Sequence, residues 1–208
     1  MKKKYLIMFS ILTACFITGC SKTSPELSYS GNEILYTCTK EDLNLFNETV
    51  NVNITDKQGF VIIDSNSEIQ EYTNNVLEFT KENKVDIKNC FFVSYEEVTK
   101  NKFNSQTAII HKDPVKGEIK INVSGNYSYK VINSKNFFDI YSTSNELNNY
   151  INANIISVYT SNIQSKTYSD LTKEKKFNKE QLKSLNVLVN GYGIEITKVN
   201  IKSVKQSN

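Results

Sequence analysis

The sequence predicts an α+β fold: a mainly antiparallel sheet with two or three packed amphipathic helices. Two patterns predict it. From Ile119 to Val131, Ile119, Ile121, Val123, Gly125, Tyr127, Tyr129 and Val131 alternate with Lys120, Asn122, Ser124, Asn126, Ser128 and Lys130. A period of two sustained this long marks a strand with one buried face. Beyond it, Leu147, Ile151, Ile155 and Val158, then Leu182, Leu185 and Val189, recur at helical spacing, so two apolar helix rows need a sheet face to cover. The chain has 208 residues, 39% apolar and 23% charged, with 2 Pro and 7 Gly, which suits one or two globular domains and excludes disordered or collagen-like chains.

At the start of the chain, Lys2-Lys3-Lys4 precedes an apolar run from Tyr5 to Phe16, and Ile17-Thr18-Gly19-Cys20 follows. About 15 residues separate the lysines from Cys20, fewer than the roughly 20 a membrane-spanning helix needs. The pattern resembles a bacterial lipoprotein signal peptide with its lipobox, with Ile17 where Leu is commonest. The alternatives are an ordinary secretory leader or an uncleaved anchor. The resemblance implies removal of residues 1–19 and acylation of the Cys20 thiol, which would tether the mature chain to the outer face of a membrane. Residues 20–32 are polar and read as a flexible tether.

All 25 basic residues are Lys, and about 27 residues are Asn, which looks like AT-rich codon usage. Without Lys2–Lys4, 22 Lys stand against 22 Asp+Glu. A near-neutral body with no Arg argues against nucleic-acid binding. After processing, Cys38 and Cys90 remain. Outside the membrane they are compatible with one disulfide; the alternative is two buried free thiols. One His and no CxxC spacing leave no metal site, and no cofactor motif is present.

Residues 33–104 read as a β-rich N-terminal unit. Ile34, Tyr36 and Cys38 alternate. Val50, Val52 and Ile54 form a strand that the Asp56-Lys57-Gln58-Gly59 turn should join to Phe60–Ile63 as a hairpin. Ser67-Glu68-Ile69-Gln70 has the form of a capping box, and Ile69, Tyr72, Val76 and Phe79 follow at helical spacing, predicting a helix over 68–82. Cys90 to Tyr95 is a further strand. In residues 105–208 the long strand should bend or bulge at Gly125. Asn178 with Gln181 should cap the second helix and Gly191 should end it. The closing strand, Ile194 to Val204, shifts its apolar phase between Ile196 and Val199, which predicts a bulge.

Residues 117–131, Asn136-Phe137-Phe138, the two helix rows and the closing segment Gly-Tyr-Gly-Ile-Glu-Ile-Thr-Lys-Val-Asn-Ile-Lys-Ser-Val (191–204) together resemble the SPFH family of stomatins, prohibitins and flotillins. The Gly-x-Tyr-x-Tyr segment at 125–129 is closest to its bacterial virion-core-like branch. The resemblance covers residues 105–204. It implies a membrane-linked domain without catalytic residues, whose closing strand pairs with the long strand. Family members usually continue into a coiled coil, whereas this sequence ends at Asn208 without heptads, so ring or cage assembly is not carried over.

Enzymatic chemistry has few places to reside. His111 precedes Lys112-Asp113-Pro114 and reads as a solvated loop residue; Asp56, Asp64, Asp113 and Asp139 read as turn formers. The expected function is a non-catalytic, membrane-anchored scaffold or modulator that meets a membrane or envelope protein through a sheet edge or the helix pair. The alternative is a lipoprotein that holds a small solute or peptide, which calls for a cavity lined by Tyr and Phe.

Overall fold

The computed structural model describes residues 24–31, 34–47, 49–73, 75–80, 87–143 and 147–207. The predicted leader and Cys20 lie outside them. The elements run β1 (Glu26–Ser28), β2 (Leu35–Thr37), α1 (Lys40–Leu45), β3 (Val50–Asn53), β4 (Gln58–Asp64), β5 (Ile69–Thr73), β6 (Val76–Phe79), β7 (Ile87–Ser94), β8 (Val98–Asn104), β9 (Ile109–Asp113), β10 (Gly117–Val131), α2 (Ser134–Thr143), α3 (Leu147–Asn162), α4 (Tyr168–Lys173), α5 (Lys179–Val189) and β11 (Ile194–Ser207).

The expectation of one mainly antiparallel sheet with two or three helices is corrected. The described residues form a β-rich α+β fold with three sheets and five α-helices, and β1 runs parallel to β3. The first sheet is β1-β3-β6, the second β2-β7-β4-β5 and the third β11-β10-β8, with β9 also on β10. The reason lies in β4 and β7. Phe60 and Ile62 of β4, with Cys90 and Phe92 of β7, pack into a core shared with Val50 and Val52 of β3. Val61, Phe91 and Val93 point the other way, into the core of the third sheet and its helices. A strand apolar on both faces needs a layer on each side, so the second sheet becomes the middle layer. β3 and β4 therefore do not form the expected hairpin. They leave the turn into different sheets, β3 pairing with β1 and β6, β4 with β5 and β7.

The helix expected over 68–82 is not formed. Asp64 Oδ1 accepts the Glu68 N–H at 2.8 Å and Ser67 adopts φ 66°, so the polar run is a hairpin turn that leads into β5. Tyr72 and Phe79, spaced for a helix, lie on separate strands and meet edge to face at 6.1 Å. The stretch read as tether contains β1, where Leu27 is buried against the first core. Two short helices went unread: α1 begins at Thr39, which forms a capping box with Asp42, and α4 begins at Thr167, whose hydroxyl accepts the Asp170 N–H.

The third sheet follows the predicted pattern closely. β10 and β11 pair antiparallel from Lys120↔Ser207 to Val131↔Ile194. The register shifts opposite Gly125, where Lys202 is the extra residue, and between Ile196 and Lys198, where Thr197 is. α3 and α5 lay Ile151, Ile155, Leu185 and Val189 on the apolar face. Each such buried side chain contributes roughly 1.5–3 kcal/mol. The Asn178–Gln181 capping box forms at the start of α5. The stop is Gly193 rather than Gly191: a 3-10 turn carries the chain through Asn190–Tyr192, and Gly193 takes φ 70°. A side chain there would stand 2.2 Å from the Asn133 carbonyl oxygen.

Candidate functional site

The two long edges of the third sheet are treated differently. Along β11 the outward backbone groups are occupied. The Asn186 side chain behaves as a strand substitute at Ile196, its Oδ1 accepting the Ile196 N–H at 2.7 Å and its Nδ2 donating to the Ile196 carbonyl at 3.1 Å. Phe177 N–H donates to Val199 O at 3.0 Å, and Ile201 N–H to Lys175 O at 2.8 Å. Tyr168 Oη accepts the Gln206 N–H at 3.1 Å. An edge closed this way offers little to an incoming strand.

The opposite edge is β8. Lys100 takes φ 64° in a bulge, since Tyr127 faces Asn101 and Tyr129 faces Val98. At its far end the Asn104 N–H is met by Asn152 Oδ1 at 3.0 Å. Among the described residues no strand pairs with the outer side of β8. Unpaired main-chain groups on an edge strand are a template for another extended segment.

Two shallow concavities open on the third sheet. One, of about 410 Å³, is lined by Lys100, Lys102, Lys202, Ser124, Gly125 and Asn126 among others. The second, of about 460 Å³, lies over Phe177 and Leu182, with Lys176, Lys179 and Lys198 on its walls. Neither is lined by Tyr, and both are open to solvent.

The residues singled out from sequence separate. Cys20 lies outside the described residues. Cys38 and Cys90 come together with Cα atoms 5.4 Å apart and their sulfurs bonded, buried in the core between the first two sheets. His111 is not a solvated loop residue: it belongs to β9, is 1% exposed, and its Nε2–H donates to the Lys166 carbonyl at 2.9 Å. Its apolar flank, Ile109 and Ile110, was the signal that it sits in a strand. Asp113 accepts backbone N–H groups of Val115, Lys116 and Tyr168, and these bonds, that from Lys116 foremost, hold its carboxyl below the ordinary Asp range. Burial pushes the Tyr127 and Tyr159 hydroxyls well above the ordinary tyrosine value. The Tyr127 hydroxyl donates to Asn148 Oδ1 at 2.9 Å, linking β10 to α3, while the buried Tyr159 hydroxyl has no hydrogen-bond partner among the described residues. Among the described residues no three His, Cys, Asp or Glu side chains gather as metal ligands would.

In the third sheet, the described residues thus leave the outer side of β8 without a partner strand and set lysines around two concavities. Residues 78–207 match the SPFH domain-Band 7 family, and the chain belongs to that family. The match starts earlier than the resemblance over 105–204 and takes in β7 and β8. No curated protein matches the chain. The family is membrane-associated. Among the described residues no helix is long and apolar enough to cross a membrane.

Proposed function

We propose that the protein is a lipid-anchored, extracytoplasmic scaffold or modulator without catalytic activity, and that it engages a membrane or envelope protein through the outer edge of β8. The observation that carries this reading is the contrast between the edges: β11 is closed by four separate groups, while among the described residues β8 pairs with no strand on its outer side and is met there at Asn104 by the Asn152 side chain. SPFH membership supports a membrane-associated scaffold or modulator role. Lys2–Lys4, the apolar run and Cys20 support the lipid anchor. Gly125, Tyr127 and Tyr129 support a place in the virion-core-like branch.

The register gives a direct test of the edge. Lys102 lies opposite Asn126, one residue from the Phe103–Gly125 pair, and Ser105 N–H bonds Val123 O. In that alternation the Lys102 N–H points away from β10. Lys102→Pro removes an outward donor and spares the β10 pairing, whereas Lys102→Gln keeps the donor. Co-purification from the native membrane should recover a membrane protein with the wild type and with Lys102→Gln, and lose it with Lys102→Pro. Recovery that is equal with all three would sink the edge reading.

A further inference from the structure

The register of the third sheet gathers lysines from four strands on one uncovered face. Directly opposed residues in an antiparallel pair share a face. Lys120 of β10 stands on its polar side. Lys112 of β9 faces Glu118, Lys102 of β8 faces Asn126, and Lys205 and Lys198 of β11 face Asn122 and Ser128. All five lysines are exposed. Three carboxylates answer them: Glu118; Glu195, which is already ion-paired with Lys130 at 2.9 Å; and Glu97, which accepts from the Thr197 hydroxyl beside Lys198. Codon usage accounts for many lysines but not for their separation from acids. Beyond Lys2–Lys4, the chain as a whole has 22 Lys against 22 Asp+Glu.

The face also has a shaped concavity. Lys202, extruded by the bulge opposite Gly125, joins Lys100 and Lys102 around the concavity of about 410 Å³, with Ser124 and Asn126 on its floor. Gly125 itself belongs to the buried side of β10, where a Cβ would stand 2.6 Å from the Phe103 ring and 2.0 Å from the Asn200 carbonyl oxygen. Three lysines and small polar side chains on one lining suit a phosphate group. Beside them, Ile110 lies opposite Lys120 on the same face and is 59% exposed, and Val115, at the β9–β10 turn, is 81% exposed.

We propose that this face docks on the anionic headgroups of a lipid bilayer. The proposal rests on the membrane location of the family and adds the face and the lipid charge it selects. An acidic protein surface would satisfy the lysines but would also need an apolar patch matched to Ile110. A bilayer interface accepts both, phosphates meeting the ammonium groups and the acyl boundary meeting Ile110 and Val115. Docked face-down, the sheet leaves β8 pointing sideways in the membrane plane, where a membrane protein can reach it.

The chain contains no Trp, so Ile110→Trp puts a single fluorescent reporter on the face. The full-length Ile110→Trp protein is titrated with vesicles of phosphatidylcholine, and of phosphatidylcholine with phosphatidylglycerol. The emission should shift to the blue, and brominated acyl chains should quench it, only where phosphatidylglycerol is present; added salt should reverse both effects. Each lysine close to an anionic leaflet strengthens binding about fivefold. Combining Lys102→Gln, Lys120→Gln, Lys202→Gln and Lys205→Gln should therefore weaken phosphatidylglycerol-dependent binding by at least about tenfold after screening. Combining Lys88→Gln, Lys135→Gln, Lys173→Gln and Lys183→Gln, all away from the face, should leave it almost unchanged. Lys2–Lys4 are present in every variant, so their contribution cancels. Binding that survives the four face substitutions overturns the proposal. So does a reporter that stays solvent-like on bound protein, an outcome that would leave an acidic protein as the occupant. The lipid anchor stands or falls separately, on the mass of the mature N-terminus in cells.

Discussion

Asp113 is buried where β9 turns into β10, and it does more than form the turn. Its carboxylate accepts the Val115 and Lys116 N–H groups at 2.7 Å each and reaches the Tyr168 N–H at the start of α4. Lys116 in turn sits 4.8 Å above the Tyr168 ring. The backbone bonds, Lys116 first, lower its folded-state pKa below the unfolded value of about 3.9. The stabilisation is therefore fully present above that unfolded value and is lost as pH falls through the folded one. Asp113→Asn should lower Tm at neutral pH, and the gap from the wild type should close under strongly acid conditions. Thermal melts across that range check it; a gap that persists at the acid end would assign the loss to geometry rather than charge. The turn was legible in Asp113-Pro114, because a turn is local chemistry. The bond to Tyr168 was not, because its partner lies 55 residues away. His111 was misread for the same reason: its partner, the Lys166 carbonyl, is supplied by tertiary structure.

Among the elements, β10 pairs with every other strand of the third sheet, and β11 closes its far side. β11 pairs with β10 over its length and buries Ile194, Ile196, Val199 and Ile201 in the core beneath α5. At roughly 1.5–3 kcal/mol for each buried aliphatic side chain, losing them rivals the 5–15 kcal/mol net stability of a whole domain. A chain ending at Gly191 should aggregate or be degraded, since it also uncovers one edge of β10 and the undersides of the helices. A soluble fragment with a cooperative melt would show that the closing strand is dispensable. β10, α3, α5 and β11 could be read from the sequence because each buries one face, so its period survives in the residue types. The segment from 68 to 82 could not: Ile69, Tyr72, Val76 and Phe79 mimic a helical row, although Ile69 and Tyr72 belong to β5 and Val76 and Phe79 to β6, in different sheets. β3 and β4 are adjacent and apolar, yet only the two-sided burial of β4 separates them into different sheets. The lysine face was hidden for a further reason. The polar side of β10 was visible, but the lysines of β11 join it only through a register carrying two bulges, and those of β8 and β9 only through pairing.

At the scale of the molecule there are two cores that share a middle layer. The larger unites the third sheet, its helices and one side of β4 and β7; the smaller lies between the first and second sheets. The family match begins at residue 78, within β6, so β1–β5 precede the matched residues. Cys38 and Cys90 belong to the smaller core, where they close a separation of 52 residues. Cross-linking a loop of that length typically stabilises by about 2–4 kcal/mol, chiefly by limiting the unfolded chain. The smaller core has fewer buried side chains to fall back on, so loss of the link should register there first. Thiol titration of the denatured, unreduced ectodomain should find no free sulfhydryl from this pair. After reduction, or in Cys38→Ser with Cys90→Ser, hydrogen exchange should accelerate in β3 and β6, while β10, β11 and α3 keep most of their protection. Two titratable thiols would show that the pair acts only as packing. Uniform acceleration across both cores would show that the middle layer couples them into one cooperative unit, with the N-terminal sheets as much a part of the domain as the strands the family shares.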